Sequence, residues 1–345
     1  MKKLVFPILL FAALFISCQK MILGEDEVNT PKNNFDIFWE DFDRHYGLFT
    51  VREWDWDSIR TEYEGRVVPE TTDEELFSIF SEMIDYLDDR HTFVYWPGRK
   101  FFASGDAGRD QVREEFSLDL ITNDYVEVRD SSSLNGYLYG DFRGRDIGYL
   151  HLAGIDMSDP NITDRILRDI GHHQAIILDL RNNTGGDDKT GAEIAGRFIQ
   201  EEKLCYTVQE RNGPEHTDFA RKKEYFSRRI GVENFNRPVV VLTDQVTISA
   251  GEVMLLYLKP IPTVTQIGDV TSGDFSDTGM RRFLPNGMQY RYSIMKFLLP
   301  DGTSLDGIGH IPDIYARNSV DDIAADNDVV LERAFTFLFE EYGIR

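Results

Sequence analysis

Apolar residues recur at helical spacing near the start of the chain. Phe35, Phe38, Trp39, Phe42 and Tyr46 fall on one stripe, which predicts a helix. Trp54-Asp-Trp-Asp57 opens a second helix that runs to about Gly65. A third begins at a Thr72–Glu75 capping box and carries Leu76, Phe77, Phe80, Met83, Ile84 and Leu87 on one face. It runs into Asp88-Asp-Arg-His-Thr92. Alternating strands are expected at 116–121, 124–129 and 136–142. From Ile147 onward the pattern changes. Short apolar strands, Ile147–Leu152, Ala175–Leu180, Val239–Thr243 and Thr263–Ile267, alternate with helices at Asp164–Gly171, Thr190–Gln200 and Gly251–Lys259. That alternation predicts an α/β fold, closed by a helix over Val329–Tyr342.

The amino terminus follows another logic. Lys2 and Lys3 precede an apolar run from Leu4 to Ile16, and then Ser17-Cys18. The run is too short to span a bilayer, and its basic–apolar–small layout is that of a signal peptide. Cys18 after a small residue resembles a bacterial lipoprotein signal, in which that cysteine is acylated. The polar stretch to Lys32 then reads as a tether. The expected organisation is a signal peptide over 1–17, a tether over 18–32, a helical domain over 33–92, a β-rich connector over 93–145 and an α/β domain over 146–345. Such a chain would sit in the cell envelope, lipid-anchored and facing the periplasm or the cell surface.

Composition narrows the partners. The net charge of −23 becomes −25 once Lys2 and Lys3 are removed, which opposes binding to nucleic acid and to anionic membranes. Attachment to a membrane would then rest on acyl chains, at about 0.8 kcal/mol per buried CH₂. With Cys18 acylated, Cys205 is left with no partner for a disulfide. No His or Cys spacing matches a zinc motif, and Asp269, Asp274 and Asp277 miss the EF-hand spacing, so neither metal nor cofactor is expected.

Three segments could carry chemistry. Ser249 lies between an apolar strand and a helix, where a hydroxyl can be exposed and the Ala250 amide can face an oxyanion. Ser249-x-x-Glu252 is equally an ordinary capping box. In Asp179-Leu-Arg-Asn-Asn-Thr-Gly-Gly186 the glycines allow backbone amides to approach a ligand closely, or only a tight turn. His91, at the end of the third helix, could act as a general base or could only complement the helix dipole.

Together these segments resemble the C-terminal processing (tail-specific) serine peptidases, and more closely their tricorn-like branch. Leu87-Asp-Asp-Arg-His-Thr92, Ile147-Gly-Tyr-Leu, Asp179–Gly186, the Ser249 turn, Ile267-Gly-Asp-Val-Thr-Ser-Gly273 and Asp306-Gly-Ile-Gly-His-Ile-Pro-Asp313 occur in the family's order. The resemblance implies a crotonase-like (Clp-peptidase-like) α/β catalytic fold and a serine peptidase acting on peptides or proteins. It implies Ser249 as nucleophile, His91 as base, Asp306 in place of the family's glutamate, and amides of Gly185, Gly186 and Ala250 as oxyanion donors. Arg90, Thr271, Ser272 and Gly273 become candidate substrate contacts. The Ser–Lys branch would need a lysine after Thr271-Ser-Gly273, and none is there; Lys259 and Lys296 fall elsewhere. Residues 93–145 are too few for the PDZ domain that processing peptidases usually insert. The alternative reading is a catalytically idle member that binds peptides, with Asp306 and Arg90 as its departures.

Overall fold

The structure, a computed structural model, describes residues 28–52, 54–105, 112–159 and 161–345. The signal run and Cys18 lie outside the described residues. No helix among the described residues is long and apolar enough to cross a membrane.

The aromatic stripe forms helix α1, Pro31–His45, capped by Thr30 and entered through a proline that needs no amide partner. A four-residue turn, α2 (Phe49–Arg52), precedes α3 (Trp56–Glu64) and α4 (Asp73–Asp85). In α4 the capping box is made: Glu75 accepts from the Thr72 amide at 2.8 Å, and Thr72 accepts from Glu75 at 3.3 Å. Trp39 and Trp56 each donate an indole N–H to the other's carbonyl at 3.0 Å, satisfying two polar groups inside an apolar core.

These helices do not form a separate domain. Their core also holds Leu284, Met288, Tyr290 and Tyr292, from far along the chain. Strands β1 (Phe93–Trp96) and β2 (Lys100–Ala103) pair antiparallel with each other. A sheet of order β11-β12-β1-β2 adds Arg282–Phe283 as β11 and Gln289–Arg291 as β12. The expected connector over 93–145 is therefore not a unit. Its first part joins the helical lobe, and its second part, β3 (Val126–Ser132) and β4 (Tyr137–Phe142), joins the main sheet. The strand expected at 116–121 is helical from Leu118 to Tyr125, because Ser117 accepts the Leu120 amide and caps a turn there. The tether also ends early, since α1 begins at Pro31.

The main sheet has seven strands in the order β14-β10-β9-β6-β5-β4-β3. Here β5 is Ile147–Leu152, β6 Ala175–Asp179, β9 Val239–Thr243, β10 Val264–Gly268 and β14 Ile314–Tyr315. These five run parallel, and β4 and β3 continue antiparallel at one edge. Helices α5 (Ile162–Ile170), α6 (Asp188–Ala195) and α7 (Ala250–Leu258) cover one face. The other face is covered by the last helix, α9 (Val329–Tyr342), which follows the short α8 (Val320–Ala324). Burial on both faces explains why β6 and β9 read as continuous apolar runs. A smaller sheet, β13-β7-β8 (Met295–Leu298, Leu204–Glu210 and Lys223–Phe226), extends α7's side of the molecule.

Past the end of β6 a buried ion network fastens the sheet to α9. Arg181 reaches Asp179 at 2.7 Å and Asp328, the N-cap of α9, at 2.8 Å. Tyr149 donates to Asp179 at 3.0 Å. Removing the cation would leave two carboxylates buried without a counter-charge. Arg181→Met should therefore cost about 3–5 kcal/mol in urea denaturation; a loss below about 1 kcal/mol would show the network to be dispensable.

Candidate active site

Ser249 stands between β9 and α7, at the carboxyl end of the parallel strands. Its backbone has φ 56° and ψ −124°, a conformation that costs a non-glycine residue on the order of 1–3 kcal/mol. Neighbouring bonds hold it there: its amide donates to the Asp274 carbonyl at 3.2 Å and to Glu252 Oε2 at 3.3 Å. Its side chain makes no cap hydrogen bond to α7. Asp244 shapes the preceding turn by accepting the Val246 and Thr247 amides at 3.0 and 2.9 Å, and it ties in the Asn182 amide at 2.8 Å.

That last bond draws the 181–186 turn against the serine. A Cβ on Gly185 would come within 2.7 Å of Ser249 Cβ, and its φ of +80° also calls for glycine. The Gly185 amide donates to Asn183 Oδ1 at 2.9 Å. The Gly186 amide, one residue on, has no hydrogen-bond partner among the described residues, nor has that of Ala250 at the first turn of α7. Of the expected oxyanion donors, these two amides are uncommitted.

His91 arrives from the helical lobe. Arg52, only 5% exposed, donates to the Leu87 carbonyl at 3.1 Å, to the Asp88 carbonyl, to the Gly273 carbonyl at 2.9 Å and to Asp274 Oδ1 at 2.9 Å. The Arg90 amide also meets Asp274 Oδ1, at 3.3 Å. The segment bearing His91 and the loop beneath Ser249 thus share one carboxylate. His91 Nδ1 is buried without a hydrogen-bond partner among the described residues and lies 4.0 Å from Asp89 Oδ1, which accepts the His91 amide at 3.0 Å. No hydrogen bond joins His91 to Ser249 or to Asp306 among the described residues.

Asp306 is buried, accepting from the Phe275 amide at 3.1 Å and from Ser304 Oγ at 3.4 Å. It lines a cleft of about 520 Å³ together with Arg52, Trp54, Asp88, Lys296 and Ile308. Two other buried carboxylates stand close by. Burial and then the Asp274 charge push the Glu252 carboxyl up to about 8, against donors from Thr271 at 2.5 Å, Gly273 at 2.8 Å and Asp274 at 2.9 Å. This differs from the expected substrate contacts. Thr271 and Gly273 turn inward and brace the loop on Glu252, and Ser272 Oγ donates to Asp274 at 2.6 Å. Arg90's amide is spent on the same loop.

The competing groups are accounted for. His310 is buried, donating Nε2–H to the Glu252 carbonyl at 2.9 Å, and burial takes its pKa down to about 3. His151 is buried against the Arg181 carbonyl. Lys259 is bound to Gln266 and the Ile311 carbonyl, both at 2.8 Å. Lys296 sits over the Phe219 ring at 3.7 Å.

Residues 146–316 match the model of peptidase family S41, and residues 28–85 match the tricorn protease C1 domain. The chain belongs to peptidase family S41. A carboxyl-terminal-processing protease of Synechocystis sp. is 28% identical over 172 residues, which is 49% of this chain and 38% of that protein. The chain spans about two fifths of the length of the curated relatives it matches first. A crystal structure from Parabacteroides merdae ATCC 43184 superimposes with a TM-score of 0.81 at 25% identity, covering 90% of this chain and 97% of that one. The crystal structure of the tricorn protease shares the fold at 16% identity, with a TM-score of 0.55 over 90% of this chain and 37% of that one. The family read from the motifs and the mixed α/β fold both hold.

The roles of three residues escaped the sequence reading: Arg52, Asp89 and Glu252, the last read there only as a capping-box partner of Ser249. Asp89 had a local signal, an acid two residues before the histidine. Arg52 had none, because its partners lie 35 and 36 residues away on one side of the seam and 221 and 222 on the other.

Asp306 allows a test by pH. Burial pushes its carboxyl up from 3.8 to about 7, against the pull of Arg52 and the Phe275 amide. Between these values the folded chain keeps a proton that the unfolded chain has released, so stability falls as pH rises from about 4 to about 7. Asp306→Asn keeps the acceptor for Phe275 and removes the charge. Urea denaturation at several pH values across that window should show a smaller loss in the variant; an equal loss would assign the dependence to other groups.

Proposed function

We propose that this chain is a serine peptidase that hydrolyses peptide bonds of extracytoplasmic proteins or peptides through an acyl-enzyme. The observation that carries this reading is the backbone of Ser249, held at φ 56° on a strand-to-helix turn with Gly185 packed against its Cβ. An ordinary cap needs no such strain; a nucleophile presented above a helix N-terminus does.

Ser249 Oγ attacks the carbonyl carbon, and His91 takes the hydroxyl proton and later gives it to the leaving amine. The Gly186 and Ala250 amides receive the oxyanion, with Gly185 allowing the close approach. Removing one such donor typically costs about 10²–10³ in kcat. Asp89 holds the His91 segment through the His91 amide, and Asp306 is the carboxylate of the triad, as the resemblance implies. No metal or cofactor enters this scheme. The relatives called carboxyl-terminal-processing proteases support a tail-processing substrate.

A fluorophosphonate probe should label the wild-type chain and not Ser249→Ala, which should fold normally because the hydroxyl makes no cap bond. Peptide hydrolysis should fall more than about 10³-fold in Ser249→Ala and in His91→Ala, and Lys296→Ala should stay active. An idle binding protein would not label. Near-normal hydrolysis by His91→Ala would remove the histidine from the mechanism.

The apolar run Leu4–Ile16 before Cys18 supports a lipid anchor in the cell envelope. Cys18→Ala should shift the protein from the membrane to the soluble fraction on centrifugation. An unchanged distribution would show that Cys18 is not the anchor.

A further inference from the structure

At the opposite end of the sheet from Ser249, two turns converge. Asp141, near the end of β4, faces the turn between α5 and β6, which carries His172 and His173. One ligand-type atom from each of the three lies within 4.8 Å of the others. The peptidase mechanism uses none of them, and the parallel strands, about 15 Å long, separate them from the nucleophile.

Each imidazole is held through Nδ1 by a group outside the cluster. His172 Nδ1 lies 3.0 Å from the Asp169 carbonyl, which can only accept; Nδ1 therefore carries the proton and Nε2 offers a lone pair. His173 Nδ1 lies 2.9 Å from Asp146 Oδ1, and its Nε2 lies 2.7 Å from Asp141 Oδ1. Asp141 Oδ2 receives Arg129, which leaves Oδ1 for the cluster. Arg237 fastens the turn by donating to the carbonyls of His172, at 3.0 Å, and Gly171. Gly148 leaves room for the His173 ring, since a Cβ there would come within 3.3 Å of Cδ2. Outer partners of this kind, a carbonyl or carboxylate on the far nitrogen of each histidine and a cation on the far oxygen of the carboxylate, are what orient the ligands of a metal centre.

We propose that Asp141 Oδ1, His172 Nε2 and His173 Nε2 bind a divalent zinc ion, with water in the fourth position. Two imidazoles and one carboxylate suit zinc, and they do not suit magnesium or calcium, which take oxygen ligands. Tetrahedral bonds of about 2.0–2.1 Å place ligand atoms about 3.3 Å apart. The ion would therefore open the 2.7 Å contact between His173 and Asp141 and draw in the wider His172. The proton of that contact leaves to solvent, and Nδ1–H of His173 stays on Asp146. The ion would clamp the antiparallel edge of the sheet to the turn that starts its parallel part.

The test uses the full-length protein, stripped of metal by a chelator and titrated calorimetrically with ZnCl₂. One equivalent should bind. His172→Ala, an exposed position whose ring hydrogen-bonds only within its own turn among the described residues, should weaken binding at least tenfold, and so should Asp141→Asn. His45→Ala, at a distant exposed histidine, should leave binding unchanged, and MgCl₂ should give no saturable heat. Circular dichroism confirms that each variant is folded. Absence of saturable zinc binding by the wild-type protein would overturn the proposal, and so would affinity kept within threefold by both His172→Ala and Asp141→Asn. Neither result depends on peptidase activity.

Discussion

One buried guanidinium organises the seam on which the site depends. A charge as enclosed as Arg52 is tolerable only if nearly every donor is matched. Its partners come from two places: the carbonyls that end α4's extension, and the 273–274 loop. Meeting that demand brings the His91 segment to Asp274, whose carbonyl in turn accepts the Ser249 amide. The helical lobe is thus part of the site, and packing alone would not set its register so closely. Tyr290 and Tyr292, both donating to Asp41 at about 3 Å, fasten the same lobe from the other side.

Around that cation lies a crowd of acids. Asp89, Asp274, Glu252 and Asp306 are all buried, and the charges of Asp89 and Asp274 help raise the Asp306 carboxyl. Glu252 does structural work beneath the nucleophile: it accepts from the amides of Ser249, Gly273 and Asp274 and so fixes both the turn and the loop that flanks it. The strain at Ser249 persists because these bonds over-determine it. The acidity of the chain is therefore concentrated partly at its working centre, although composition showed it only as a global charge.

Much of this was legible from local pattern. The stripe of Phe35 to Tyr46, the Thr72 capping box and the apolar runs of β5, β6 and β9 carry their periods within a few residues, and each became the element expected. The final helix matches over Val329–Tyr342. Elements decided by distant partners were invisible. Strands β11 and β12 are two and three residues long; β12 exists because β1 offers it an edge, and β11 because β12 does. The 116–121 segment alternates like a strand but turns helical from Leu118 on the Ser117 cap. Thr271, Ser272 and Gly273 read as a substrate-facing motif, and they face Glu252 and Asp274.

The sequence by itself determined the family, the order of its motifs and the residue types available for acyl transfer, because these are properties of short contiguous segments. Only the tertiary structure decided which amides remain uncommitted, that His91 rests beside Asp89 and makes no bond to Asp306, and that two adjacent histidines meet Asp141. The separation of His91 from Asp306 and the meeting of His173 with Asp141 depend on the distance between groups tens to hundreds of residues apart. That distance follows from how buried charges and amides are satisfied in three dimensions, which no local pattern encodes.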